Sequence, residues 1–404
     1  MEELRNLEKN ANYGELIARV RNLIKNDKRV IADPYIKSWL GKRWRNLFIT
    51  ECSKDETVIE ASTQKKLFGG EDNRSPREKV AMKFLKGEGP DEFKYEMPDT
   101  KTEPIKETLI FCPGLLSGLL PVMAFKEEFI EVEKEFPVRI LQSDSHPMRS
   151  CDANTADLLR IIEEGKGLNS STENIPEGSE IPPGDVFILA YSKGMADTLT
   201  LLSKRPDLKE RVKCIFNWAG APGGSYLANS IYNSLKDIKI HLDIPLEVEG
   251  LLKMVSPVVQ FPDQIKRLSE YDILGAMNDL TTTTREEFLD KHLKDIDSLN
   301  IPIFNLTGST TPLEVPYFQI QGVLELNKYD ANNDMQVTQK HAKVTSPMAT
   351  DLAMLHGHHW DLSYGPFPKN MRFGSPNLDH KFPRKAALVA MIKFARELGL
   401  LGIN

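Results

Sequence analysis

Asp185-Val-Phe-Ile-Leu-Ala-Tyr-Ser-Lys-Gly194 is an apolar run that stops at a serine flanked by small residues two positions away on each side. Asp185 to Ala190 reads as a strand buried on both faces, and Met195 to Lys204 as a helix. A serine held on so tight a strand-to-helix turn sits at strained backbone angles, and neighbours two residues before and after it have no space for side chains. Ala190 and Gly194 meet that demand around Ser192. The turn also sets Ser192 at a helix N-terminus, where backbone N–H groups without intrahelical acceptors face a developing anion. A serine in an ordinary loop is the alternative, and the rest of the chain decides between them.

Residues 1–104 are charged and helix-forming. Tyr13 to Lys25 puts Leu16, Ile17, Val20, Leu23 and Ile24 on one helical face, and Tyr35 to Phe48 carries Trp39, Leu40, Trp44 and Leu47. This part is expected as a helical extension packed on a main domain over 105–404. Glu88-Gly-Pro-Asp and Met97-Pro-Asp-Thr-Lys-Thr-Glu-Pro form the turn-rich boundary. From Thr108 strands alternate with helices: Thr108–Pro113, Val138–Asp144, a helix over Ala153–Glu164, an exposed loop over Gly165–Gly184, then strands Asp185–Ala190, Val212–Trp218 and Ile301–Thr307. Such alternation predicts an α/β fold whose mostly parallel sheet is covered by helices on both faces. The stretch from about 225 to 300 offers helices but no convincing parallel strand, and is expected as a helical cap. Thr284 and Glu287 there have capping-box spacing. Its apolar segment Ile244 to Phe261, with Leu246, Val248, Leu251, Leu252, Met254 and Val255, is expected either to line an acyl pocket or to form the cap's own core.

The chain has 404 residues and a net charge of −6 without a basic patch, which argues against nucleic acid as a partner. Cys52, Cys112, Cys151 and Cys214 show no metal-type spacing and are expected as free buried thiols. Met-Glu-Glu-Leu-Arg-Asn-Leu-Glu-Lys at the start lacks the pattern of a secretory signal, and no apolar run is long enough to span a bilayer, so the expected location is the cytoplasm. No nucleotide, flavin or pyridoxal motif occurs, and no cofactor is expected. Oligomeric state is not legible.

A serine becomes a strong nucleophile when a base takes its proton and a third group orients that base. The segment from about 105 to the C-terminus resembles the α/β-hydrolase fold, and within it the serine esterase and lipase branch. Phe111-Cys-Pro-Gly-Leu-Leu stands where that family has its early glycine loop, Ala190-Tyr-Ser-Lys-Gly resembles its nucleophile elbow, and Trp218-Ala-Gly-Ala-Pro-Gly-Gly-Ser is similar to the Gly-x-Pro loop after the next strand in many lipases. The resemblance implies the order serine, acid, histidine. Asn332-Asn-Asp-Met-Gln-Val337 resembles the turn presenting the lipase aspartate, which makes Asp334 the candidate acid with Asp330 second, across an insertion from about Ser309 to Tyr329. Ala353-Met-Leu-His-Gly-His-His-Trp-Asp-Leu-Ser holds His356, His358 and His359; His359 fits the base best, with His358 second. Oxyanion donors are expected from the backbone N–H groups of Lys193 and Leu115, with the Lys193 side chain facing solvent.

The implied activity is a serine hydrolase cleaving carboxylic ester or thioester bonds of a hydrophobic acyl or lipid-like small molecule. Open alternatives are an acyltransferase or thioesterase with the same triad, a metal-dependent hydrolase built on His356, His358 and Asp361, and a hydrolase fold used only for binding.

Overall fold

A computed structural model describes residues 1–64, 71–87, 90–100, 104–238, 245–260, 267–375 and 381–402. Among them eight strands form one sheet: β1 (Leu85–Lys86), β2 (Thr108–Cys112), β3 (Ile140–Gln142), β4 (Leu168–Asn169), β5 (Val186–Tyr191), β6 (Val212–Trp218), β7 (Ile303–Ser309) and β8 (Ala349–His356). Their spatial order is β1-β8-β7-β6-β5-β2-β3-β4. The six inner strands pair in parallel, while the two-residue strands β1 and β4 close the edges antiparallel. Edges this short offer little backbone for pairing with another chain.

Every residue of β5 is buried, and its side chains alternate between two cores. Phe187, Leu189 and Tyr191 enter one, with the helices Pro34–Cys52, Lys126–Glu135 and Arg384–Glu397. Val186, Ile188 and Ala190 enter the other, with Cys151–Glu164, Lys193–Lys204 and part of Thr282–Asp297. A strand buried on both faces is therefore apolar throughout, which is why the sequence shows a run and no alternation.

The N-terminal helices share the first core. Leu16, Val20, Trp39 and Trp44 are buried in it, Asp33 caps the helix Pro34–Cys52 at Tyr35 N and Ile36 N, and β1 of this region pairs with β8. Arg43, 1% exposed, donates to Glu397 Oε1 at 2.8 Å, Glu397 Oε2 at 2.5 Å and Pro98 O at 2.7 Å.

The stretch expected as a cap divides in two. The helices Tyr226–Leu235, Pro245–Val255 and Ile273–Asp279 lie over the strand ends, whereas Thr282–Asp297 packs against Lys193–Lys204 on a face of the sheet. Thr284 does not cap that last helix: Thr281 does, accepting from Thr284 N at 3.3 Å, because the helix begins one turn earlier than its charged residues suggest. Val248, Leu251 and Leu252 pack in the main core, Met254 is exposed, and Val255 reaches the cleft described below. Glu88, Gly89, Lys101, Thr102, Glu103, Ile244, Phe261 and the side chain of Leu246 lie outside the described residues. The expected loop Gly165–Gly184 contains β4, and the insertion after β7 holds the helix Ile320–Leu326.

Charge fastens cap to body. Asp157 Oδ2 accepts from Arg149 at 2.7 Å and from Arg267 at 2.9 Å, and both arginines pair with Glu270. Beside them, burial, followed by the Arg267 and Arg149 guanidinium groups, pushes the His146 imidazole down to about 4.

Two predictions follow from this packing. Glu397→Ala leaves the buried Arg43 charge uncompensated and is expected to cost about 3–5 kcal/mol in urea unfolding; an Arg43→Met/Glu397→Leu double variant should recover most of it. Between the ordinary histidine value of 6.5 and about 4 the unfolded chain binds a proton that folded His146 refuses, so stability falls as pH falls through that window. His146→Asn is expected to flatten that limb of the urea midpoint against pH.

Candidate active site

β5 ends at Tyr191 and the helix Lys193–Lys204 begins two residues later, so Ser192 must turn the chain alone. It does so at φ 55° and ψ −127°, a conformation costly for a residue with a side chain. Close backbone approach holds it there. A Cβ on Gly194 would stand 2.2 Å from Cys112 O, and one on Gly114 would stand 2.6 Å from Ser192 Cβ. The Ser192 carbonyl accepts from Met195 N at 3.1 Å and Ala221 N at 3.0 Å.

Ser192 Oγ donates to His359 Nε2 at 2.9 Å, and His359 Nδ1 donates to Asp334 Oδ2 at 2.7 Å. The carboxylate beside Nδ1 holds a proton on that nitrogen and leaves the Nε2 lone pair facing the hydroxyl. Asp334 is itself fixed, its Oδ1 accepting from Gln336 N at 3.0 Å and Val337 N at 2.7 Å. His359 N donates to Asp334 O at 2.7 Å, so the acid and histidine loops are joined through backbone as well as side chain. Tyr191 packs its ring 5.0 Å from the imidazole and donates its hydroxyl to His359 O at 3.1 Å.

The second choices lie elsewhere. Asp330 accepts from Asn332 N and Gln339 N and shapes the turn. His358 faces Asp361, with Nε2 2.8 Å from Oδ1 and Nδ1 accepting from Asp361 N at 3.1 Å. His356 has Nδ1 2.8 Å from Lys83 O and Nε2 2.8 Å from Glu314 Oε1. His358 and Asp361 thus pair with each other and His356 pairs elsewhere, and no group of three or more metal-ligating side chains occurs among the described residues.

Lys193 and Leu115 differ from each other. Leu115 lines the cleft from the loop after β2, and Lys193 N–H, at the first helical position, has no intrahelical acceptor. The Lys193 side chain, expected in solvent, is buried instead: its Nζ donates to Asp197 Oδ1 at 2.6 Å, and Asp197 Oδ2 accepts from Asn154 at 3.1 Å. Burial, the largest single influence, would lower this ammonium, but the charge and hydrogen bond of Asp197 together with the nearby Cys151 and Asp279 leave the net shift upward. The i,i+4 spacing of Lys193 and Asp197 was the signal for this pair. All four cysteines are free and buried, and burial raises their thiols, which keeps them unreactive.

A cleft of about 720 Å³, counting its open mouth, lies over Ser192 and His359. Leu116 and Leu120 line one side, the cap supplies Leu227, Ala228, Ile231, Val255 and Met277, and Trp360 and Tyr364 follow the histidine. Ser225, Ser256, Gln319 and Gln336 also reach it; sequence reading did not find them, because nothing local separates a cleft serine or glutamine from a surface one.

No protein-family model and no curated protein matches the chain. Solved structures do. A metagenomic carboxyl esterase, MGS0156, matches 88% of this chain and 91% of its own, with a TM-score of 0.61 at 20% identity. The Staphylococcus hyicus lipase covers 75% of this chain and 99% of its own, with a TM-score of 0.46 at 11% identity. The Bacillus licheniformis lipase BlEst2 in mature form covers 65% and 89%, with a TM-score of 0.42 at 18% identity. With the sheet order above, the first of these defines the architecture: the chain has an α/β-hydrolase fold, shared with that esterase.

Gly194→Ala is expected to lose about 2–4 kcal/mol in urea unfolding, since its methyl group would overlap Cys112 O. Gly250→Ala, in the helix Pro245–Val255 with nothing within 4 Å, should gain about 0.5–1 kcal/mol.

Proposed function

We propose that the protein is a serine hydrolase that cleaves a carboxylic ester or thioester of a hydrophobic acyl group through Ser192, His359 and Asp334. The observation that carries this reading is the hydrogen-bonded chain Ser192–His359–Asp334 opening into a largely apolar cleft. Ser192 Oγ attacks the acyl carbonyl as its proton passes to His359 Nε2. Asp334 keeps the imidazole oriented and stabilises its cationic form. The negative charge developing on the carbonyl oxygen is met by the backbone N–H groups of Lys193 and Leu115. Collapse breaks the bond to the leaving group, which takes the proton from His359, and leaves an acyl ester on Ser192. Water, deprotonated by His359, then releases the acid and restores the serine. The leucine, isoleucine and valine side chains of the cleft favour an aliphatic chain over a sugar or peptide.

A tagged fluorophosphonate with mass spectrometry tests this reading. The wild type is expected to carry the adduct on Ser192, and Ser192→Ala and His359→Ala to carry none. Asp334→Asn is expected to lower kcat on a 4-nitrophenyl alkanoate by about 10³–10⁴ while the protein stays folded. Folded wild type that neither labels nor turns over any ester contradicts the assignment.

A further inference from the structure

Several serines in or at the ends of helices in this chain spend their hydroxyls on a carbonyl three or four residues back: Ser53 on Ile49, Ser62 on Val58, Ser203 on Thr200, Ser234 on Ser230. Ser256, which follows the last residue of the cap helix Pro245–Val255, does not. Its backbone N–H donates to Leu252 O at 2.9 Å, yet its Oγ is buried and, among the described residues, has no hydrogen-bond partner, in a residue 2% exposed. Buried hydroxyls are nearly always paired, so an orphan on a cleft wall marks a place where a ligand oxygen or an ordered water can pair. Ser256 belongs to the wall of the cleft over Ser192. The other serine from this side, Ser225, already donates to Gln336 O at 2.5 Å. Gln319 and Gln336 are half-buried, so water can serve their amides.

Two further observations narrow the ligand. Among the described residues lining the cleft there is no Asp, Glu, Lys or Arg, and a charged group entering it would lose hydration without a counter-ion. The segment that follows Ser256 is also tied to the loop that carries Leu115: Gln260 N, four residues on, donates to Leu119 O at 2.7 Å.

We propose that Ser256 is a specificity residue whose hydroxyl pairs with a hydroxyl or carbonyl oxygen on an otherwise aliphatic, uncharged substrate chain. The inference rests on the ester-hydrolase reading above and narrows its substrate class to oxygen-substituted aliphatic esters. The oxygen can belong to the acyl or to the alcohol portion, and the test separates the two.

Wild type and Ser256→Ala are compared on 4-nitrophenyl esters of a medium-chain acid and of its hydroxy derivatives substituted at successive carbons. A second arm uses alkyl and hydroxyalkyl esters of the same plain acid. The expected result is that, at one substitution position in one arm, wild type prefers the hydroxylated over the plain ester and Ser256→Ala lowers that ratio of kcat/KM about tenfold. A merely structural loss would lower both members of a pair alike and leave the ratio unmoved. Ratios unchanged within twofold at every position in both arms overturn the proposal, while continued ester turnover and Ser192 labelling leave the hydrolase reading standing. Absence of both labelling and turnover in folded wild type overturns the two together.

Discussion

The backbone of Ser192 is the constraint on which the site depends. At φ 55° and ψ −127° it stores strain that must be over-determined by its surroundings. The surroundings are two parallel strands: β2 pairs with β5 in register from Thr108/Val186 to Cys112/Ala190, which brings the carbonyls of Cys112 and Pro113 against the first turn of the helix after Ser192. Only a residue without a Cβ fits at Gly194. The same pairing sets Gly114 against the Ser192 side chain, so one strand contact both enforces the turn and delivers the Leu115 loop to the cleft.

Asp334 and His359 arrive from the other side of β5, and buried polar groups hold their segments in place. Asn217 of β6 donates to Asn305 Oδ1 of β7 at 2.8 Å and to Ala342 O; Asn305 in turn donates to Asp351 Oδ1 of β8 at 2.8 Å and to Val344 O. This ladder crosses three strands and ties down residues 342–344, which follow the Asp334 turn. Gly308 near the end of β7 then lets Asp334 approach, since a Cβ there would stand 2.8 Å from Asp334 Cβ. Polar side chains in a sheet core are costly unless paired; here the amide donors of Asn217 and Asn305 pair between strands and with the segment beyond Asp334, while Asn217 Oδ1 has no partner among the described residues.

Legibility in the sequence followed the range of the interactions. β5, its turn and the helix after it are local, and Ala190, Ser192 and Gly194 carry their reason within five residues. Asp334 and His359 are candidates through the chain order that the resemblance implies; the contact that joins these two, and not Asp330 or His358, links residues 25 apart in sequence and is invisible to spacing. The edge strand Leu168–Asn169 escaped notice because two residues show no periodicity. The Thr282–Asp297 helix was grouped with the cap because composition does not say which partner a helix buries its face against; Ile296 and Phe288 settle that by packing in the second sheet core. The cleft serine was missed for the same reason, since burial is a property of the whole fold.

Lys193 shows how tertiary context reverses a local expectation. A cation at the first position of a helix opposes the positive end of the helix dipole, and the usual outcome is a side chain in water. Here the ammonium turns inward to Asp197, and Asn154 takes the second carboxylate oxygen. With both partners nearly inaccessible, the desolvation of each charge is offset by the other, and truncating either would leave an unpaired charge in the core. The consequence lies at the backbone. A helix whose first residue is anchored through its own side chain has little freedom to fray, so the N–H groups at its start keep one direction. On the acyl-transfer reading those groups meet the developing oxyanion, and donors that need not reorganise stabilise charge better than donors that must.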